Sequence, residues 1–238
     1  MFDFTNQVAL VTGPAGNLGN ATARAFLEAG ANLMLVDRSP DRLPQLFPDI
    51  ADSPDHFLVA SVDSTDPDAV SAMAAQAVER FGRIDILVNT VGGFRAGTPL
   101  HETPLETLDF LFNLNARTMF IASQVVIPYM LAQGTGKIVN VAARPGLAGR
   151  KNMATYSASK SAVIRMTESM AAELKGAGIN VNCILPGTID TPENRQDMPD
   201  ADHSLWVKPE SLANVILFLT SNAARDIHGA SLPVYGNS

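Results

Sequence analysis

The sequence predicts a doubly wound α/β domain, in which helices cover both faces of a mostly parallel sheet of seven strands. Two observations carry this prediction. Short apolar runs alternate along the chain with longer segments of helical periodicity. The apolar runs are also continuous, as in strands buried on both faces of a sheet. No change of composition and no repeat divides the 238 residues, so we expect a single domain over residues 1–238.

The predicted strands are short apolar runs rich in β-branched residues. They cover residues 7–12, 32–37, 56–62, 84–89, 137–141, 179–185 and 231–235. The predicted helices begin or end at typical capping residues, such as Asp66 before Pro67 or Gly30 after the first helix. They cover residues 17–29, 66–81, 104–133, 153–175 and 209–221. The helix over 104–133 is expected in one or two pieces with a bend at Pro128, and the proline-rich stretch 186–206 is expected to be a loop.

The composition excludes several classes of protein. A net charge of −7 and a pI of about 5.0 argue against nucleic-acid binding, which needs a basic face. The single cysteine, Cys183, excludes an internal disulfide and is expected to be buried. Neither a signal peptide nor an apolar run approaching the roughly 18 residues of a membrane span is recognisable. We expect a cytoplasmic protein without a membrane partner, and the scattered histidines predict no metal site.

Tyr156 and Lys160 are the most informative pair of residues. They lie four residues apart in a predicted helix, and therefore on one helical face. An ammonium beside a phenol favours the phenolate and is expected to lower its pKa from about 10. Such a tyrosine can donate or accept a proton near neutral pH. The spacing alone is weak evidence, because most such pairs are solvated surface residues.

A glycine-rich turn, Thr12–Gly19, separates the first predicted strand from the first predicted helix. Glycines there let the backbone approach a pyrophosphate, and the helix directs N–H groups at the anion. Asp37 ends the second strand, where a carboxylate can bind both hydroxyls of an adenosine ribose and repel a 2′-phosphate. This pattern favours NAD over NADP, although Arg38 is able to reach a phosphate. For the glycine-rich segment Thr12–Gly19, the alternative interpretation is a tight structural turn that binds no phosphate.

With these motifs in order, the chain from about Val8 to Gly236 resembles the short-chain dehydrogenase/reductase family, whose domain is of the Rossmann type. The family's T-G-x-x-x-G-x-G corresponds to Thr12–Gly19, with Asn17 in place of the middle glycine. Asparagine tolerates left-handed backbone better than most residues, so the turn is expected to survive. The resemblance implies an NAD-dependent oxidoreductase that acts on a small molecule.

The resemblance also implies roles for individual residues. Tyr156 and Lys160 match the family's Y-x-x-x-K, in which the tyrosine transfers a proton and the lysine lowers its pKa and binds the nicotinamide ribose. Asn115 aligns with the catalytic asparagine, which anchors a water in the proton relay. The cofactor is expected at Gly13, Asn17, Leu18, Gly19, Asp37, Arg38, Asp63, Ser64, Asn89, Val91, Gly92, Tyr156, Lys160, Pro186, Gly187, Ile189 and Thr191.

One position departs from the family. Members of the family have a catalytic serine thirteen residues before the tyrosine. In this chain the corresponding residue is Ala143. Loss of a hydrogen-bond donor at an oxyanion costs about 3 kcal/mol. The chain has therefore either lost activity or acts on a substrate that does not need the serine. An NAD-binding sensor or scaffold without turnover is the rival interpretation.

The loop after the sixth strand favours a different substrate. It resembles the corresponding segment of dihydropteridine reductases, an NADH-using branch that also has alanine at the serine position and reduces a quinonoid dihydropterin. We expect residues 187–207 to form a substrate loop or lid, in which Trp206 caps the site or pins the loop. The residues expected to face the substrate are Phe94, Ala143, Arg144 and Met153.

Two long predicted helices, 104–133 and 153–175, carry apolar residues on more than one face. A helix that is apolar beyond one stripe needs a second packing partner. Because these helices commonly pair subunits in the family, we expect a homodimer or homotetramer.

Overall fold

The described residues, 2–237 of a computed structural model, contain all seven predicted strands. The strands are β1 (Val8–Thr12), β2 (Asn32–Val36), β3 (His56–Val59), β4 (Ile86–Asn89), β5 (Gly136–Val141), β6 (Ile179–Pro186) and β7 (Ser231–Val234). They form one sheet in the order β3-β2-β1-β4-β5-β6-β7. Every neighbouring pair is parallel. The predicted fold class, a Rossmann-type α/β domain, is confirmed.

Eight α-helices lie among the described residues. They are α1 (Asn17–Glu28), α2 (Arg42–Leu46), α3 (Pro67–Phe81), α4 (Leu105–Leu111), α5 (Thr118–Gln133), α6 (Ala154–Leu174), α7 (Pro192–Asp197) and α8 (Pro209–Thr220). The five helical segments predicted from the sequence contain six of these helices, since 104–133 includes both α4 and α5, and α2 and α7 are additions. The start of α7 follows the usual rules, because Thr191 accepts a hydrogen bond from the Asn194 N–H and Pro192 occupies the first turn.

The core lies on both faces of the sheet, and β1 shows why its run is apolar throughout. Ala9 and Val11 pack into the cluster that contains α1 and α8 residues. Leu10, between them, packs into the opposite cluster with residues of α3 and α5. Successive side chains of a strand point to opposite faces, so a strand covered on both faces has no polar position. Cys183 of β6 is buried, as predicted.

The predicted helix over 104–133 is interrupted at Phe112–Arg117, which forms a π-helical turn between α4 and α5. The helix α5 continues through Pro128 to Gln133. The whole helical stretch, Leu105–Gln133, is long and apolar enough to cross a membrane by length and composition. One such helix is weak evidence for a membrane span, because the buried core helix of a soluble protein passes the same test. Half of its most apolar 18-residue window is buried, as in the core helix of a soluble fold.

A buried polar network joins β4, β5 and α6. The side-chain amide of Asn89 donates to Asn140 Oδ1 at 2.9 Å and to Ser123 Oγ at 3.3 Å. The amide of Asn140 in turn donates to Thr167 Oγ1 at 2.9 Å. All four side chains are buried, and a buried network of this kind fixes the relative positions of the elements that carry it.

We expect the substitution Asn140→Ala to lower the free energy of unfolding by about 2–3 kcal/mol, because it leaves buried partners of the network without their hydrogen bonds. Urea denaturation measures the change. The matched control is Asn214→Ala on the exposed face of α8, where we expect a change within about 0.5 kcal/mol. Equal effects of the two substitutions would contradict the role of the network.

Candidate active site

A cavity of about 620 Å³ opens at the edge of the sheet where the carboxyl ends of β1, β4, β5 and β6 meet. Parallel strands end at one edge, and the crevice there is the usual ligand site of such sheets. The wall contains fifteen of the residues that the sequence predicted for cofactor and substrate. They are Gly13, Asn17, Leu18, Gly19, Gly92, Phe94, Ala143, Arg144, Met153, Tyr156, Lys160, Pro186, Gly187, Ile189 and Thr191.

The glycine-rich turn packs tightly against the loop that follows β4. Gly13 has a φ of +69°, and a Cβ on Gly19 would lie 2.2 Å from the Gly13 carbonyl oxygen and 2.7 Å from Thr90 Oγ1. The Thr90 hydroxyl donates to the carbonyl of Thr12 at 2.5 Å and so holds the turn in place. Because side chains are absent there, the backbone N–H groups at the start of α1 are accessible to a pyrophosphate.

Asn17 is the first residue of α1, and the described non-glycine residues with positive φ do not include it. The argument that it must tolerate left-handed backbone is therefore wrong. Its side-chain amide instead donates to Glu193 Oε2 of α7 at 2.9 Å. The pKa of Glu193 is lowered, chiefly by a hydrogen bond from its own backbone N–H and then by Asn17. The predicted substrate loop thus contacts the glycine-rich turn directly.

Four residues predicted for the adenosine half of the cofactor, Asp37, Arg38, Asp63 and Ser64, lie outside the cavity wall. They follow β2 and β3, which are neighbours in the sheet. Asp37 Oδ1 accepts a hydrogen bond from the Ser39 N–H at 2.9 Å. The backbone N–H and hydroxyl of Thr65 bind the Asp63 carboxylate and lower its pKa. These residues follow strands that lie on the other side of β1 from β4, β5 and β6 in the sheet. Their contact with a cofactor stays a prediction.

Asn89 and Val91 also lie outside the wall. The side chain of Asn89 belongs to the buried network between β4 and β5, which removes it from the cavity. The side chain of Val91 lies against Gly13, with a methyl carbon 3.1 Å from the position of a Cβ on that glycine. Val91 therefore supports the turn and Asn89 supports the sheet, and neither lines the cavity.

Tyr156 and Lys160 lie together in the wall, on the first two turns of α6. The ring of Tyr156 packs edge-to-face against Phe94, with centroids 4.8 Å apart. Burial raises the pKa of Tyr156 to about 12. The predicted lowering of this pKa by Lys160 is therefore wrong, because removal of the phenol from water disfavours its charged form. At neutral pH Tyr156 carries its proton.

Lys160 is buried, with Nζ donating to the carbonyl of Val141 at 2.9 Å. Burial lowers its pKa to about 8. A Cβ on Gly92 would lie 3.2 Å from this Nζ and 3.1 Å from Asn115 Oδ1. Glycine at position 92 therefore lets the lysine and the asparagine approach the same point of the chain.

Asn115 is buried in the π-helical turn and does not line the cavity. Its amide makes two hydrogen bonds with the backbone of Gly93, accepting from the N–H at 2.9 Å and donating to the carbonyl at 3.1 Å. It also donates to Ser159 Oγ at 3.1 Å, and this hydroxyl donates to the carbonyl of Tyr156 at 2.9 Å. The asparagine thus joins the loop after β4 to α6, and π-helical turns are frequent at functional sites.

The end of the cavity that the sequence predicts to hold the substrate, called the substrate end below, is formed by the segment between β5 and α6. Ala143 is buried in the wall and presents a methyl group. The guanidinium of Arg144 lies 4.6 Å from the centroid of the Tyr235 ring, and the residue is half-buried. Phe94 is 60% exposed and is accessible to a ligand. Met153 immediately precedes α6.

Sequence reasoning missed several residues of the wall. Arg150 lies in the same segment, six residues before Tyr156, and its position next to the helix that carries the tyrosine was the available signal. Asn194 and Met198 reach the wall because α7 folds the substrate loop back over the edge. Trp206 lies outside the wall and packs against His203 of the same loop, with ring centroids 4.4 Å apart, so it does not line the cavity.

A glycine-rich turn at a helix N-terminus and a buried tyrosine–lysine pair in one cavity define a nucleotide-binding oxidoreductase. A family model described as short chain dehydrogenase matches residues 7–202. The chain therefore belongs to the short-chain dehydrogenase family, and it is an enzyme that uses a nicotinamide cofactor. The resemblance on which the sequence analysis relied is confirmed at this level.

Individual relatives agree over nearly the whole chain. The chain is 34% identical over 239 residues to the 3-oxoacyl-acyl-carrier-protein reductase of Thermotoga maritima, which covers 97% of this chain and 96% of the relative. It is 34% identical over 244 residues to the 2-(R)-hydroxypropyl-CoM dehydrogenase of Xanthobacter autotrophicus, covering 97% and 98%. The crystal structure of an NAD⁺-bound xylitol dehydrogenase has a TM-score of 0.89 at 27% identity, covering 98% of this chain and 99% of that chain.

We expect Gly19→Ala to lower the free energy of unfolding by more than about 2 kcal/mol, because the added methyl group would overlap a backbone oxygen. The control is Gly16→Ala, where the nearest atom to an added Cβ is the same Gly13 oxygen at an ordinary 3.5 Å. Thermal and urea denaturation measure both variants. A Gly19→Ala protein as stable as the Gly16→Ala protein would show that the turn is less tightly packed than described.

The lowered pKa of Lys160 predicts a specific pH dependence of stability. The lysine titrates near pH 8 when folded and near 10.5 when unfolded, so the unfolded state binds more protons between these values and stability rises with pH. We expect Lys160→Met to remove a rise of about 2 kcal/mol between pH 8 and pH 10. Urea unfolding across this range measures it.

The control for this experiment is Lys151→Met, since Lys151 is exposed. This variant should keep the pH dependence of the unchanged protein, including any contribution of Lys137, whose pKa is also lowered by burial. Parallel stability curves for the Lys160→Met variant and the unchanged protein would contradict the burial of a charged Lys160.

Proposed function

We propose that the chain is an NAD(H)-dependent oxidoreductase of small molecules, acting in the cytoplasm, in which Tyr156 donates or accepts the proton. The observation that carries this proposal is the placement of Tyr156 in the same cavity wall as the glycine-rich turn. When bound, the nicotinamide ring supplies or accepts the hydride. The protein's part is to place the substrate, exclude water and handle the proton.

The residues at the sheet edge fit a dinucleotide. The turn Gly13–Gly19 and the N-terminus of α1 would hold the pyrophosphate, and Pro186–Thr191 would hold the nicotinamide end. Asp37 supports NAD over NADP, because a carboxylate after the second strand of such a fold would repel a 2′-phosphate. Arg38 is exposed beside it and is the residue that would favour NADP instead.

Tyr156 is suited to donate a proton. Its raised pKa keeps the phenol protonated at neutral pH, as reduction of the substrate requires. Lys160 lies one helical turn away, and its ammonium would favour the phenolate once the proton has left. Asn115 keeps the loop at Gly93 against α6 and thereby fixes the cavity floor beside the tyrosine.

Ala143 bears on the choice of substrate. Its methyl group lies in the buried wall of the cavity, at the position that the resemblance assigns to the family's serine. This supports a substrate in which no alkoxide has to be stabilised. A quinonoid dihydropterin, reduced at ring nitrogens, is the candidate that the substrate loop suggests. An NAD-binding sensor without turnover is the second function that the missing hydroxyl supports.

We also propose that the chain assembles as a homodimer or homotetramer through α4 and α5. Leu105, Phe120 and Leu131 on these helices are each about half or more exposed. Large apolar side chains on one helical layer favour burial against a second copy.

We expect Tyr156→Phe to lower kcat by at least a hundredfold, because general acid–base catalysis contributes about 10²–10⁴. The affinity for NADH should change by less than about threefold. The control is Tyr129→Phe, a partly buried tyrosine of α5 that lies outside the cavity wall. Stopped-flow oxidation of NADH with a panel of ketones, quinones and quinonoid dihydropterin measures turnover, and fluorescence titration measures NADH binding.

The panel separates the candidate functions. Turnover of quinonoid dihydropterin alone would support the pterin substrate, and turnover of ketones would support an ordinary dehydrogenase. NADH binding without turnover of any compound would support the sensor. A Tyr156→Phe enzyme with unchanged kcat would refute the proton-transfer role.

A further inference from the structure

The charge of the cavity wall is opposite to that of the protein. The wall carries three cationic side chains, Arg144, Arg150 and Lys160, and among its described residues there is no carboxylate. The chain as a whole has a net charge of −7. A cleft with charges of one sign concentrates their field and attracts ligands of the opposite sign. The cavity is therefore a cationic site in an acidic protein.

The cofactor does not account for both arginines. A pyrophosphate would lie at the N-terminus of α1, which follows β1. Arg144 and Arg150 lie in the segment after β5, and β4 separates β5 from β1 in the sheet. Neighbouring strands are about 4.8 Å apart, so the two positions are about 10 Å apart across the sheet. The arginines instead share their segment with Ala143 and Met153, at the substrate end.

The two arginines differ in how they are held. Arg144 is half-buried, and its guanidinium lies over the ring of Tyr235. Arg150 is exposed at the cavity mouth and takes part in none of the ion pairs between described residues. One arginine is thus fixed in the wall, and the other is available to close on a ligand.

We propose that Arg150 binds an oxyanion of the substrate, so that the enzyme acts on small molecules that carry a carboxylate or a phosphate. The inference rests on the proposed oxidoreductase function. A guanidinium presents donors in a planar fork that matches both anions. The Arg150 contact orients the far end of the substrate, while Tyr156 acts on the reacting end. A quinonoid dihydropterin carries no such group, so this assignment favours acidic substrates over it.

The test measures binding to the NADH-loaded protein, because this readout does not depend on knowing the reactive substrate. The probes are benzoate, phenyl phosphate and the neutral benzamide, which are similar in size, followed by ligand-observed NMR. We expect at least one anion to bind about tenfold more tightly than benzamide. Arg150→Gln should weaken that anion about ten- to hundredfold and leave benzamide and NADH within twofold.

The control is Arg165→Gln, an exposed arginine of α6 that pairs with Glu168 and lies outside the wall. It should leave all affinities unchanged. Arg150→Lys keeps the charge without the fork and should retain an intermediate affinity. Comparison of the two anions identifies the source of the oxyanion, since tighter benzoate indicates a carboxylate and tighter phenyl phosphate indicates a phosphate.

The outcomes separate this inference from the proposed function. Absence of NADH binding would refute the oxidoreductase proposal. NADH binding together with equal affinities for benzamide and both anions would overturn the anion site alone. An Arg150→Gln protein that keeps its anion affinity, or that loses NADH affinity to the same extent, would overturn the assignment to Arg150.

Discussion

Parallel pairing of β1, β4, β5 and β6 is the constraint on which the site depends. Because these strands are parallel and adjacent, the turns that follow them meet at one edge of the sheet. The glycine-rich turn, Gly92, Ala143 and Pro186 are far apart in the sequence and share one cavity for this reason. The buried network through Asn89 and Asn140 holds β4 and β5 in register below it.

Burial shifts the pKa values of two titratable side chains in the cavity wall. Tyr156 and Lys160 are both removed from water, and each is pushed towards its neutral form, with the pKa of the tyrosine raised and that of the lysine lowered. The direct hydrogen bond of Lys160 is to a backbone carbonyl, which leaves the phenol protonated. The same edge also concentrates positive charge at Arg144 and Arg150. The cavity wall is therefore cationic in a chain that is acidic overall.

Much of the fold was predictable, because local patterns report burial directly. Continuous apolar runs identified strands covered on both faces, and glycines and capping residues marked the ends of helices. The predictions failed where a short-range signal competed with a longer pattern. The capping residue Thr191 begins α7 inside a stretch that reads as a proline-rich loop, and the π-helical turn at Asn115 leaves no trace in the apolar periodicity of residues 104–133.

The sequence by itself determined the order of strands and helices, the family, and the residue types of the glycine-rich turn and the tyrosine–lysine pair, since these depend on local pattern and spacing. Tertiary structure decided which of them share a cavity. It placed Asn89 in the core, set Asn115 against Gly93, and brought Arg150 and Glu193 to the site. It also reversed the expected pKa shift of Tyr156. Burial and long-range contact arise only when distant segments pack, and a linear pattern does not encode them residue by residue.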